Sequence, residues 1–158
     1  MVFPISDDNS DLRSVPVVNY AIIAINVFVF VVFQGMGTNE QFTYKYATVP
    51  AEIKTGKDVV TDERIVVDQN TGQQFQVPGL QPTPISVYLT LLWSMFMHGG
   101  IAHIAGNMWF LWIFGDNVED RMGHGRYAIF YMLSGVIASI SHVLMNMNGA
   151  NSLVPSLG

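Results

Sequence analysis

The chain has 158 residues, 50% of them hydrophobic and only 12% charged, a net charge of −5 and a mean hydropathy of +0.33. Soluble domains carry about 25% charged residues, and here Ser14 to Asn39, Gln69 to Gly115 and Tyr127 to Gly158 carry none, so the pattern is that of a membrane protein. The acidic balance, concentrated in the N-terminal tail and first long loop, excludes a nucleic-acid partner, and the absence of cysteine excludes disulfides, thiolate chemistry and cysteine-based zinc sites.

The leader Met1 to Asp11 is acidic rather than basic, and no Ala-x-Ala site follows the first apolar run. That run is therefore read as a membrane span and not as a secretory signal. It covers Val15 to Phe33 or Gly35 and reaches about 28 Å at the helical rise, close to the thickness of the hydrocarbon core.

A long loop follows, over residues 36–97. Arg64 to Val77 reads as a small hairpin about Asn70, Thr71 and Gly72, and Pro78, Pro82 and Pro84 break any further pattern. Ile85 to Met97 is apolar again. Joined to the next span it would be too long for one crossing, and the Gly99-Gly100 pair suggests a break, so this piece is expected to be an interfacial or partly inserted helix.

The second span is expected from His98 to Gly115 and the third from Tyr127 to Met147. In the third, Ser134, Gly135, Ala138 and Ser139 have the small-xxx-small spacing that lets a neighbouring helix approach closely. Lys45, Lys54, Lys57 and Arg64 lie in the long loop; Arg13, Arg121 and Arg126 lie in the tail and the short connection Asp116 to Arg126. By density the latter set wins, which favours a cytoplasmic N-terminus. No internal repeat is visible.

The chemistry concentrates in His98-Gly-Gly-Ile-Ala-His103-Ile-Ala-Gly-Asn107. Imidazoles and a carboxamide at the mouth of a span are costly in lipid, so they usually face the protein interior and usually serve a function. His103 and Asn107 are four residues apart, about 40° around a helix, so both point the same way. Two readings stay open on spacing alone. One is a hydrogen-bonded clasp between helices; the other is an oxyanion site, in which preorganised N–H donors meet the charge that develops on an acyl-transfer intermediate. Neither residue is a nucleophile. His98 and His103 are five apart, about 140° on an ideal helix, which disfavours a metal or haem site unless Gly99-Gly100 bends the chain. His142 reads as a packing histidine, and Trp93, Trp109 and Trp112 as belt or packing residues.

The run Trp93 to Gly123 resembles the second transmembrane helix of rhomboid intramembrane serine proteases. Phe3 to Asn9 resembles the start of that family, Tyr46 to Ile53 its first loop, and Asn151 to Gly158 the approach to its Gly-x-Ser-Gly motif. The likeness covers nearly the whole chain except Thr55 to Thr83. It implies an all-α polytopic bundle, here three spans of a six-helix core with a long loop between spans one and two. It also implies that His103 and Asn107 are the oxyanion-stabilising pair and that His98 is mostly structural. Glu119 and Arg121 match a Glu-x-Arg at the cytoplasmic end that holds helices in a buried charge network; the plainer alternative is a solvated helix-end salt bridge contributing little.

The same resemblance places a Ser nucleophile on the fourth helix and its His base on the sixth. Gly158 would be the first Gly of Gly-x-Ser-Gly, and no Ser in these residues has a Gly two positions before it. The expectation is therefore no protease activity from Met1 to Gly158 alone, with the remaining helices of a full-length protein needed to complete both the site and the packing. The loop before the second span also lacks the Trp-Arg pair of many members. Transmembrane protein substrates and the lipid bilayer are the implied partners, no cofactor is implied, and a bacterial cytoplasmic membrane is expected. The rivals are a catalytically dead relative that binds transmembrane clients and a polar-clasped scaffold or ligand-binding bundle unrelated to proteolysis.

Overall fold

The computed structural model describes residues 13–67 and 74–158. The first apolar run forms α1 (Val17–Phe28), which passes into a π-turn over Val29–Phe33. Its buried stripe is Asn19, Ile22, Asn26, Val29 and Phe30, whereas Ile25, Val27, Phe28, Val31 and Val32 are exposed. This helix buries both asparagines and leaves most of its aliphatics exposed, a pattern compatible with a lipid-facing outer surface and polar contacts within,.

The long loop holds two short helices, α2 (Glu40–Tyr46) and α3 (Pro50–Thr55). The Asn39 side chain caps α2 by accepting from the Phe42 N–H at 3.2 Å, as a good N-cap residue should. Pro50 opens α3 at its first position, and Gly56, left-handed at φ 67°, ends it,. Strands β1 (Arg64–Val67) and β2 (Gln74–Val77) then pair antiparallel, Arg64 opposite Val77. The hairpin is the one expected; its Asn70-Thr71-Gly72 turn lies outside the described residues.

A run of 3-10 and α turns, with α4 (Thr90–Trp93) at its centre, covers Val87–Phe96. After the break come α5 (Ile101–Phe110), a π-turn over Leu111–Gly115, and α6 (Asp116–Met122). The two limbs meet at 76°, which is the break that Gly99-Gly100 suggested. The second helix runs on past Gly115: π geometry carries it into α6, so most of the Asp116 to Arg126 connection is helical. Gly123 alone, at φ 80°, separates α6 from α7 (His124–Asn146).

By length and hydropathy, α7 is the one described helix able to cross a membrane by itself; the bent pair passes only as a unit, and Val17–Phe33 is apolar but shorter.

The bundle is held at its two ends by polar clasps. At one end α1 starts without a side-chain cap of its own, and α6 supplies it. Glu119, fully buried, accepts from the N–H groups of Val18 at 3.0 Å and Asn19 at 2.7 Å. Asp120 accepts from those of Arg13 at 2.9 Å and Ser14 at 3.1 Å. Carboxylates at a helix N-terminus satisfy its orphan donors and complement its dipole. Asn19 ties the three helices together, donating to the Leu111 carbonyl at 2.8 Å and accepting from the Tyr127 hydroxyl at 2.8 Å. At the other end, Thr48 and Ser156 exchange backbone hydrogen bonds of 3.2 and 2.8 Å, and the Thr48 hydroxyl meets that of Ser94 at 2.9 Å.

Candidate active site

The His-Gly-Gly break sits at this second end, and Gln34 fixes it. Its carboxamide, fully buried just past the π-turn of the first helix, accepts from the His98 N–H at 2.9 Å and donates to the His98 carbonyl at 3.0 Å. A third bond runs to the Thr43 hydroxyl at 3.2 Å. One side chain thus satisfies both main-chain groups of the residue at which the helical ladder is interrupted, where unpaired backbone would be costly.

Beyond the break, His103 and Asn107 lie one turn apart on α5. The Gly99 N–H donates to His103 Nδ1 at 3.3 Å. A neutral imidazole that accepts on Nδ1 carries its proton on Nε2, so His103 presents an N–H away from the break. The Asn107 carboxamide is half-buried and has no hydrogen-bond partner among the described residues. The two residues share a face, as the spacing predicts, and make no hydrogen bond to each other.

His98 is buried and packs its ring edge-to-face against Phe30, at 6.5 Å between centroids, and against His103, at 5.2 Å. The 140° separation expected from an unbroken helix does not hold, because the break swings His98 back over α5. Among the described residues no three of His, Cys, Asp and Glu group as metal ligands.

A cavity of about 520 Å³ opens beside these groups, walled by Met95, His98, Asn107, Tyr131, Gly135, Ser139 and Gly158. The small residues of α7 serve two purposes here. Gly135 leaves room for Met95, since a β-carbon would overlap its thioether, and the Ser139 hydroxyl reaches the Leu91 carbonyl at 3.4 Å. Ser134 and Ala138 face the open cavity. Gly158 lies on its rim with its N–H on the Ser94 carbonyl at 2.8 Å. A β-carbon at 158 would come within 2.6 Å of the Met95 carbonyl oxygen, so glycine is required for this approach.

Glu119 and Arg121 are not a pair. Glu119 turns inward to α1 and to the His124 ring, while Arg121 is exposed and forms no ion pair among the described residues. Of the two residues, Glu119 alone is buried. Reading the sequence missed Gln34, Asn19 and Asn26, although the available signal was the one that singled out His103: a lone polar group inside an apolar run.

Buried polar clasps inside, aliphatics outside and one helix of full membrane length define a helical membrane protein. Residues 86–158 match the family model described as the Rhomboid domain, which supports a rhomboid family assignment. The chain is 30% identical over 95 residues to the mouse presenilin-associated rhomboid-like protein, mitochondrial, covering 53% of this chain and 25% of that protein. It is 41% identical over 51 residues to rhomboid protease GluP of Bacillus subtilis, covering 32% and 10%. It is also 37% identical over 54 residues to RHOMBOID-like protein 6, mitochondrial, of Arabidopsis thaliana, covering 34% and 18%. This chain thus spans about a quarter or less of the length of these curated relatives. No solved structure matches it. The mitochondrial names give no support to the bacterial cytoplasmic membrane expected from the sequence.

Proposed function

We propose that this chain is the oxyanion-binding part of a rhomboid-type intramembrane serine endopeptidase that cuts transmembrane segments of membrane proteins. Three crossings are proposed, by Val17–Phe33, by the helix from Ile101 through Met122, and by α7, with the Glu119 end on the cytoplasmic side. In this reading residues 1–158 form part of a larger rhomboid membrane domain, and further helices fill the open cavity.

The observation that carries the proposal is the pair of free donors on one face of α5. His103 has its Nδ1 occupied and its Nε2–H available, and Asn107 offers an unpaired N–H₂ at the cavity wall. When a serine Oγ attacks the scissile carbonyl, its proton passes to the base histidine and the carbonyl oxygen becomes an oxyanion. Donors held in place beforehand stabilise that charge without reorganisation, each contributing about 10²–10³-fold in rate. Asn107 donates through its carboxamide, and His103 through Nε2–H, which the imidazole carries in its neutral Nε2 tautomer and in its protonated form alike. Neither supplies the nucleophile, which these residues do not contain in Gly-x-Ser form; Gly158, seated on the cavity rim, is proposed as the first Gly of that motif. His98 and Glu119 are proposed as structural supports, His98 by packing on His103 and Glu119 by capping α1. Arg121 has the weakest claim to such a part.

The test is expression from the native gene, read through and beyond codon 158, followed by labelling with a fluorophosphonate probe. A Gly-x-Ser-Gly continuation and labelling at that Ser support the protease. A replaced Ser with retained binding of transmembrane clients favours the catalytically dead relative.

A further inference from the structure

We propose that Gln34 sets the tautomer of His103, acting through the single peptide unit that joins His98 to Gly99. Gln34 Nε2 donates to the carbonyl oxygen of this unit at 3.0 Å. The N–H of the same unit donates to His103 Nδ1 at 3.3 Å. The order is Gln34 N–H to His98 C=O, then Gly99 N–H to imidazole nitrogen, with one conjugated amide between the two bonds. A donor on a peptide oxygen draws charge along the amide and makes its N–H a stronger donor, so the two bonds reinforce each other. The second Gln34 contact, from the His98 N–H to Oε1 at 2.9 Å, fixes which end of the carboxamide faces the carbonyl and holds the peptide plane in place.

The geometry has a chemical consequence. Without the Gly99 N–H, His103 could place its proton on Nδ1, facing the break, and Nε2 would become an acceptor unable to stabilise an oxyanion. Gln34 does not touch the His103 imidazole and does not itself line the cavity, meeting it only through the His98 main chain, and so is a positioning residue. The purpose of the relay rests on the oxyanion reading of His103; the tautomer itself does not, and can be measured with no catalysis at all.

The experiment is long-range ¹H–¹⁵N correlation of the full-length protein, ¹⁵N-labelled at histidine and glycine, in lipid bicelles at about pH 8.5, above the ordinary imidazole range. In the unaltered chain the expected result is His103 protonated on Nε2, with a through-hydrogen-bond coupling between Gly99 N and His103 Nδ1. Gln34→Met keeps the length and removes all three hydrogen bonds; the ratio of Nε2–H to Nδ1–H should fall by about two- to tenfold, the value of one net hydrogen bond. Thr43→Val removes only the hydroxyl contact and should leave the ratio unchanged, a control that a merely structural role for Gln34 would not separate. An unchanged ratio in folded Gln34→Met overturns the proposal. Should that variant lose its helical circular dichroism, the unaltered chain decides: presence of the Gly99–His103 coupling supports the relay, and its absence or a dominant Nδ1–H tautomer overturns it. Loss of the relay leaves the oxyanion reading standing, because turnover of His103 and Asn107 variants tests that separately.

Discussion

Asn19 occupies the space that any side chain at position 115 would need: a β-carbon on Gly115 would overlap the Asn19 carboxamide. The carboxamide cannot swing aside cheaply, because both of its ends are hydrogen-bonded, to Leu111 and to Tyr127. Close approach of α1 to the second helix and the polar joint between three helices are therefore one feature.

Gly115→Ala should accordingly destabilise the bundle by about 1–3 kcal/mol, the usual cost of overpacking with displaced hydrogen bonds. Gly106 lies in the same helix with nothing within 4 Å of its missing β-carbon. Gly106→Ala should be neutral or stabilising by up to about 1 kcal/mol from helix propensity. Unfolding in mixed micelles compares the two directly.

Glu119→Gln should cost about 1–3 kcal/mol, since an amide replaces a buried carboxylate that caps two backbone N–H groups and pairs with His124,. Arg121→Gln should change stability by less than about 0.5 kcal/mol, as for most exposed positions. Equal losses in the two variants would restore the charge network that the family resemblance implied.

Glu52, in the loop helix α3, is buried, and its carboxyl is pushed up to about 7. Burial is the larger cause and the nearby Asp58 charge adds to it, against one stabilising N–H from Val59 at 3.1 Å. The folded state then holds a proton that the unfolded chain releases near 4.5. Stability should be greatest below about pH 4.5, fall as pH rises through about 7, and level off above,. Glu52→Gln should flatten this window, gaining about 1–3 kcal/mol relative to the unaltered chain at pH 8. A pH-stability profile that keeps its slope in the variant would contradict the assignment.

Much of this was legible in the sequence where one residue type leaves few options. Gly99-Gly100 marked the break, charge-free runs marked the apolar helices, and the Asn70-Thr71-Gly72 turn signal marked the hairpin. The loop helices α2 and α3 were missed, although Asn39 before Glu40 and Pro50 followed by Glu52 are ordinary helix-start signals. The partners of polar groups were less accessible. Nothing local says that Glu119 caps α1 rather than pairing with Arg121, or that Gln34 clasps His98 across 64 residues; such pairings exist only after the helices pack. His98 and His103 meet because the chain bends, so helical arithmetic gave the wrong separation across a break that it had itself located.

The most direct test of the account is turnover of a transmembrane substrate by the full-length protein carrying His103→Ala or Asn107→Ala, with unfolding measured on the same samples. The oxyanion reading predicts kcat lowered by about 10²–10³-fold in each variant, with KM and stability little changed. Normal kcat from the fraction that remains folded, with stability lost, would contradict it and leave the pair as a clasp between helices.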